Sequence, residues 1–328
     1  MKYLFIFLFS IFSYSVNAQS GKDLPDKKVD NTPQNNSSNR DKSLPVTTNL
    51  SLVENKTNPN AWMHYYIATE RNKDVSPQLR KQILASTFQT SGQYIAGTWQ
   101  YSLLQFLQSG KKDAAAIAFA VASGEAEIVY PYAVQYAIIT GNSAELYKYT
   151  AVLKDINPLT PAVYQYHYNT LMSAGKNAVI YAKGLYDLVP LAIVQQQYKI
   201  RPDIKLRYYD NKIPEEENAY ICLSSGKETI KQYPDAAYTG LLIRLNAVNK
   251  IQELETNYNA FDLSNLREGS SLTAAEAQMY KNYLPSFILL HRFYQKNKNT
   301  AADELYGIIL KIAEYAGIKD TVKKLLVP

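Results

Sequence analysis

The chain has 328 residues, 46% hydrophobic and 20% charged, with a formal net charge of +6. A chain of this length can bury a large core without covalent staples, and its single cysteine, Cys222, leaves no internal disulfide to form. Lysines and acidic residues are interspersed, as in Lys111-Lys112-Asp113, and no dense basic block tracks a phosphate backbone, so nucleic acid is not an expected partner.

The N-terminus has the form of a secretory signal, with Lys2 ahead of the apolar run from Leu4 to Phe12. Val16 and Ala18 stand at the −3 and −1 positions of a cleavage site, which predicts a cut after Ala18 and a periplasmic or secreted location. The run is far short of the roughly 20 residues that span a bilayer. No later stretch is apolar enough, so no transmembrane segment is expected in the mature chain. Residues 19–58 hold no Phe, Trp or Tyr and are rich in Asn, Ser, Lys, Asp and Thr. Such a stretch cannot bury enough apolar surface to offset its ordering entropy, and it reads as a disordered tether.

From Asn60 onward, aromatic residues and alanines fall at helical spacing. Gly110, Gly141, Gly175 and Gly226 each follow an apolar periodic stretch, where a left-handed glycine closes a helix. Gly110, Gly141 and Gly175 are 31 and 34 residues apart, the spacing of a helical repeat. Trp99, Phe106, Gly110, Ala115, Phe119 and Ala122 form a first set. Gly141 and Pro158 follow, then Pro161, Tyr164, Tyr168, Leu171 and Gly175. On these residues the chain resembles the tetratricopeptide family, which alternates two antiparallel helices. The resemblance implies helical hairpins over 59–175 and again over 247–328, the latter from Leu284 to Phe293 and Ala301 to Ala313 with a short cap from Asp320 to Leu326. It places Ala115 and Ala122 at helix crossings and Trp99 and Phe119 between the layers. It also implies an extended surface that holds another protein.

Residues 176–246 read as a small α/β segment. Ala178–Tyr181 and Ile204–Tyr209 have the texture of strands, with a helix from Leu185 to Gln197 between them, a pattern that predicts a parallel pair. Glu215–Ser225 reads as a further helix and Tyr238–Leu245 as a further strand. The expected fold is therefore mostly α, a tetratricopeptide-like α-hairpin stack with a small α/β segment inserted before the C-terminal helices. Within residues 177–206, Asn177, Ala178, Gly184, Asp187, Pro190, Leu191, Arg201, Pro202 and Asp203 resemble the soluble part of bacterial mannosyltransferase-like membrane proteins. Lys183-Gly184-Leu185-Tyr186-Asp187 stands where that family's loop is more acidic, and no activity is carried over. Lys183, Gly184 and Asp187 are the candidate ligand loop, at the carboxyl end of the first strand.

The motifs that carry chemistry are thin. Ser-x-x-Lys occurs at Ser109/Lys112, Ser173/Lys176 and Ser224/Lys227, each at a helix end, where a repeated capping turn accounts for it. Gly175-Lys176 and Gly226-Lys227 lack the remaining residues of a phosphate loop. His64, His167 and His291 are too far apart in sequence to share a helix face, and each reads as a core or interfacial residue. Tyrosine is the conspicuous residue, with 28 copies. Tyr130, Tyr132, Tyr136, Tyr164 and Tyr168 are the candidate interaction surface. Spacing of four puts Tyr132 with Tyr136 and Tyr164 with Tyr168 on one face, with Tyr166 directed elsewhere. Two readings stay open: inter-helix packing with hydroxyls at the rim, or a tyrosine-lined groove for a peptide or glycan. No catalytic residue, cofactor or metal is expected. The expected partner is another envelope or secreted protein, bound by a non-enzymatic scaffold. The alternative is a ligand-binding protein or enzyme using the α/β segment around Lys183 and Asp187.

Overall fold

Many helices begin where a side chain can accept an otherwise free amide. Asn58, Ser76, Thr98, Asp113, Asn142, Thr160 and Thr273 each do this, and Pro59, Pro77 and Pro161 follow three of them with φ already set for a helix. The computed structural model describes residues 55–72, 74–212, 216–226, 235–246, 250–269 and 271–326. The expected signal and nearly all of the expected tether lie outside these residues. The described chain is mostly helical, with a small five-stranded mixed sheet. It divides into two compact units between Val129 and Tyr130.

The first unit contains α1 (Pro59–Arg71), α2 (Pro77–Ile95), α3 (Trp99–Gln108) and α4 (Ala114–Ser123). The division falls within α5 (Ala126–Thr140). The turn after α3 passes through Gly110 at φ +71° and Lys111 at φ +68°. α3 and α4 pack on each other through Leu103, Leu104 and Phe106 on one side and Ala116, Ile117 and Ala120 on the other, all buried. Here the expected packing face is corrected. Phe119 is 45% exposed, and Ala115 and Ala122 are also exposed. The helix starts at its Asp113 cap, whose carboxylate accepts both the Ala116 amide and the Gln105 side chain, and the buried face is rotated one residue from the family pattern. Trp99 is half-buried and lies over Gly124, where a Cβ would meet its ring. Trp62 stacks on Tyr94 and donates its indole N–H to the Lys56 carbonyl at 2.7 Å.

The second unit opens with α6 (Ser143–Ile156) and α7 (Pro161–Met172). β1 (Val179–Ala182), α8 (Leu185–Tyr198) and β2 (Lys205–Tyr208) then form the expected strand–helix–strand, with β1 and β2 parallel. β3 (Ala219–Cys222) pairs in parallel on the other side of β1. A short α9 (Leu223–Gly226) leads away from it. β4 (Ala237–Tyr238) and β5 (Leu242–Arg244) complete the order β2-β1-β3-β5-β4, with antiparallel pairs at β3–β5 and β5–β4. Two expectations are corrected. Over the described part of 215–225, the expected helix is instead β3 followed by one helical turn, because Ala219, Tyr220, Ile221 and Cys222 are all buried between flanking strands. The expected single strand over 238–245 is a tight hairpin. Gly240 sits at φ +125° at its tip, pressed so closely on Ser173 and Phe261 that no side chain fits.

One side of the sheet closes over Tyr209, Ile221, Leu223, Ala236, Ile243 and Leu245. α8 packs against both α6 and α7. Downstream come α10 (Lys250–Asn259), α11 (Ser264–Glu268), α12 (Ala274–Tyr280), a 3₁₀ turn (Lys281–Tyr283), α13 (Leu284–Lys296), α14 (Ala301–Tyr315) and α15 (Lys319–Leu326). Their aromatic core of Tyr280, Tyr283 and Phe287 includes Tyr166 of α7, whose hydroxyl accepts from Asn282 at 3.0 Å. Asn169 ties the same helix to the Tyr283 hydroxyl and to the backbone of Asp262. Gly175 departs from the expected left-handed cap. It is a close approach: its amide donates to the Tyr220 hydroxyl at 3.2 Å, and a Cβ would crowd that oxygen.

Candidate functional site

Two places anticipated from sequence lie in the second unit, at opposite characters of surface. At the first, α6, α7 and α8 bring tyrosines and lysines to one surface. Tyr164 and Tyr168 of α7 stack at 6.3 Å and are half-buried, whereas Tyr166 between them enters the core. Tyr164 meets the ring of Tyr198 from α8 edge-on at 4.9 Å. Tyr198 is 39% exposed and Tyr147 of α6 is 49% exposed. The Lys154 ammonium lies 5.0 Å from the Tyr198 ring centroid, and that of Lys199 lies 4.8 Å from the Tyr147 centroid. The arrangement is pinned from below by Gln197, which donates to the Tyr147 carbonyl and the Thr150 hydroxyl. Burial and its tyrosine neighbours raise the Tyr164 hydroxyl above its ordinary range, so the tip stays protonated as a donor.

The five tyrosines singled out in the sequence do not form one surface. Tyr132 is buried, and Tyr130 packs edge-on against the buried Tyr149 at 5.0 Å. Tyr136 is half-buried. Only Tyr164 and Tyr168 join the exposed strip, which continues through Tyr198 and Tyr147. Tyr198, Lys154 and Lys199 were not indicated by the sequence pattern. The available signal was a tyrosine and a lysine at a helix C-terminus, where Lys199 takes a left-handed conformation at φ +58°.

The second place is the carboxyl end of β1 and β3. β2 and β3 flank β1, so the chain leaves neighbouring strands in diverging directions there, the position where open α/β sheets form a crevice. Lys183 and Gly184 leave β1, and Gly184 is the N-cap of α8 with no side chain to offer. Half-buried Asp187, in the first turn, accepts from the Ser224 hydroxyl at 2.6 Å and from Ser225 at 3.4 Å. The Lys183 amide donates to the Ser225 hydroxyl at 2.9 Å, and its ammonium donates to the Asn211 side chain at 2.9 Å. Among the described residues no cation is paired with Asp187. Desolvation raises its carboxyl above the usual range, against the lowering effect of the two hydroxyls. Cys222 is buried at the end of β3, and burial followed by the Asp187 charge holds its thiol well above the ordinary value. That thiol is a packing group, not a nucleophile.

The other motifs resolve into structure. The guanidinium of Arg201, at φ +49°, donates to the carbonyls of Leu171, Ala174 and Gly175 at 3.2, 2.8 and 2.6 Å. It also grips Asp203 with two bonds of 2.9 Å, and Asp203 accepts the Asn177 amide. The Arg201 bonds hold the Asp203 carboxyl far below the usual range. The Arg-Pro-Asp sequence is thus a clamp between the end of α7 and the start of β2. Ser109 accepts the amides of Lys112 and Asp113, the capping role expected of it. Ser173 bonds the Asn169 carbonyl and accepts the Leu241 amide. Lys227 lies outside the described residues. His167 is buried, neither ring nitrogen has a hydrogen-bond partner among the described residues, and desolvation lowers it to about 3. His64 lies exposed on α1 and His291 is buried in α13. Among the described residues no helix is long and apolar enough to cross a membrane.

The chain matches no family model, no curated protein and no solved structure.

Proposed function

We propose that this chain is an exported, non-catalytic docking protein of a bacterial cell envelope, which holds another protein against the tyrosine and lysine strip of α6, α7 and α8. The observation that carries the reading is the exposure of Tyr147 and Tyr198 on neighbouring helices, each with a lysine over its ring. A tyrosine presents an apolar body and a polar tip, and few rotatable bonds are fixed when it is covered, which is why such residues anchor interfaces. The signal-like N-terminus supports the exported location, and the degenerate tetratricopeptide pattern supports a scaffold role.

Affinity capture from envelope extract tests it, using the wild-type chain beside the Tyr147→Ala/Tyr198→Ala variant. A discrete protein held by the wild type and lost by the variant supports the reading. Capture of the same set by both, or of nothing by either, defeats it.

A second reading rests on Asp187, a carboxylate at the carboxyl end of parallel strands with no cation paired to it among the described residues. In it, Lys183, Gly184 and Asp187 line a ligand site that takes a cationic or hydroxyl-bearing small molecule. Thermal-shift screening of the wild type against Asp187→Asn separates the two: a ligand that stabilises the wild type alone favours this crevice.

A further inference from the structure

The chemistry of the docking strip narrows its partner, and this inference rests on the docking reading above. The Lys154 and Lys199 ammoniums each lie over a tyrosine face. That contact engages the charge but leaves the N–H donors of an ammonium able to reach an acceptor. Among the described residues neither lysine is within ion-pair distance of a carboxylate, although Asp155 follows Lys154 directly in sequence.

The spacing adds a length. Tyr147 and Lys154 are seven residues apart on one helix, so they lie on the same face about 10 Å apart along the axis. Lys199 marks the Tyr147 end and Lys154 the other. Carboxylates three residues apart in a polyproline II chain lie on one face, about 9 Å apart. The residues between them would lie across the exposed rings of Tyr147 and Tyr198.

We infer that the strip takes an acidic polypeptide segment in the polyproline II conformation, with carboxylates three residues apart meeting Lys199 and Lys154 and an aromatic or aliphatic side chain between them resting on the tyrosine rings. An acidic oligosaccharide shares the charge and offers a flat apolar face of its own. The polypeptide is favoured because its repeat matches the axial offset of Tyr147 and Lys154 and its backbone supplies partners for the tyrosine hydroxyls.

Fluorescence anisotropy tests this with a labelled peptide of repeating Glu-Phe-Ser triplets, its Gln-Phe-Ser counterpart, and a labelled galacturonate oligomer. The Glu peptide is expected to bind, and to bind about tenfold more weakly to Lys154→Ala/Lys199→Ala, with a matching loss for the Gln peptide and for added salt. Equal binding of the Glu and Gln peptides, or indifference to the lysine substitutions, overturns the assignment. So does binding of the galacturonate in preference to the Glu peptide. If no peptide binds while envelope capture still depends on Tyr147 and Tyr198, the acidic-segment assignment falls and the docking reading stands.

Discussion

The ammonium of Lys154 on α6 rests 5.0 Å from the ring of Tyr198 on α8, and the Lys199 beside that tyrosine rests in turn on Tyr147 of α6. The two helices exchange cations and rings across their seam. Such contacts contribute about 0.5–1 kcal/mol at exposed sites, so the fold does not depend on them. Tyr198→Ala should therefore shift the unfolding midpoint little while it weakens partner capture. A large fall in stability would place Tyr198 among the structural residues.

Arg201 has the opposite character. Its guanidinium satisfies three carbonyls at the end of α7 and both oxygens of Asp203. Arg201→Ala leaves those groups unpaired and should cost about 2–3 kcal/mol in denaturant unfolding. Arg201→Lys should not restore it, because an ammonium cannot reproduce the planar fork. Asp203 is depressed when folded, so its contribution is present above its ordinary value of 3.8 and fades as the pH falls below that. A full rescue by lysine would contradict the clamp.

His167 sets an acid limit. Its folded value of about 3 lies below the ordinary 6.5, so the unfolded chain takes up a proton that the folded chain refuses. Its stability contribution is complete above pH 6.5 and declines by about 1.4 kcal/mol per pH unit on acidification. His167→Leu should flatten that slope between pH 6 and pH 4, leaving what His64 and His291 contribute, both of which burial also lowers. Urea midpoints across that range measure it, and an unchanged slope counts against the assignment.

Asp187 runs the other way. Its folded value is raised, so stability favours the protonated group and is lost as the pH climbs through that value. Asp187→Asn keeps an acceptor for Ser224 and should raise the melting temperature at neutral pH, the gain shrinking in acid. A carboxylate that costs stability where it stands is the pattern of a retained functional group. A melting temperature lowered by the substitution would make Asp187 a structural acceptor instead.

The packing face of α4 gives a direct test of register. Phe119→Ser should change stability by less than about 0.5 kcal/mol, as for an exposed position. Ala120→Leu, at a site fully closed by α3, should cost about 1–3 kcal/mol by overpacking. The reverse order would restore the face implied by the tetratricopeptide pattern.

Much of the helical layout was legible from caps, prolines and apolar spacing, as was the βαβ unit, because Val179–Ala182 and the run before Tyr208 are bounded by turn residues. The face of α4 was not, since Ala114–Ser123 is apolar all round and its periodicity names no side. β3 was misread because the four residues between Asn218 and Leu223 carry no period of their own, and the strand is fixed by partners at β1 and β5. At the candidate surface, a spacing of four told which tyrosines share a face but not which face is covered. Tyr164 meets Tyr198 with β1 and the length of α8 between them in sequence, a pairing that only the tertiary contacts reveal.

The docking role depends most on the strip of α6 and α8 being where a partner sits. A photo-crosslinking residue placed at position 198, beside one at the similarly exposed Tyr306 of α14, tests this in the living cell. The expected result is a discrete crosslinked protein from position 198 and none from position 306. Crosslinks at 306 alone, or the same products from both positions, would contradict it.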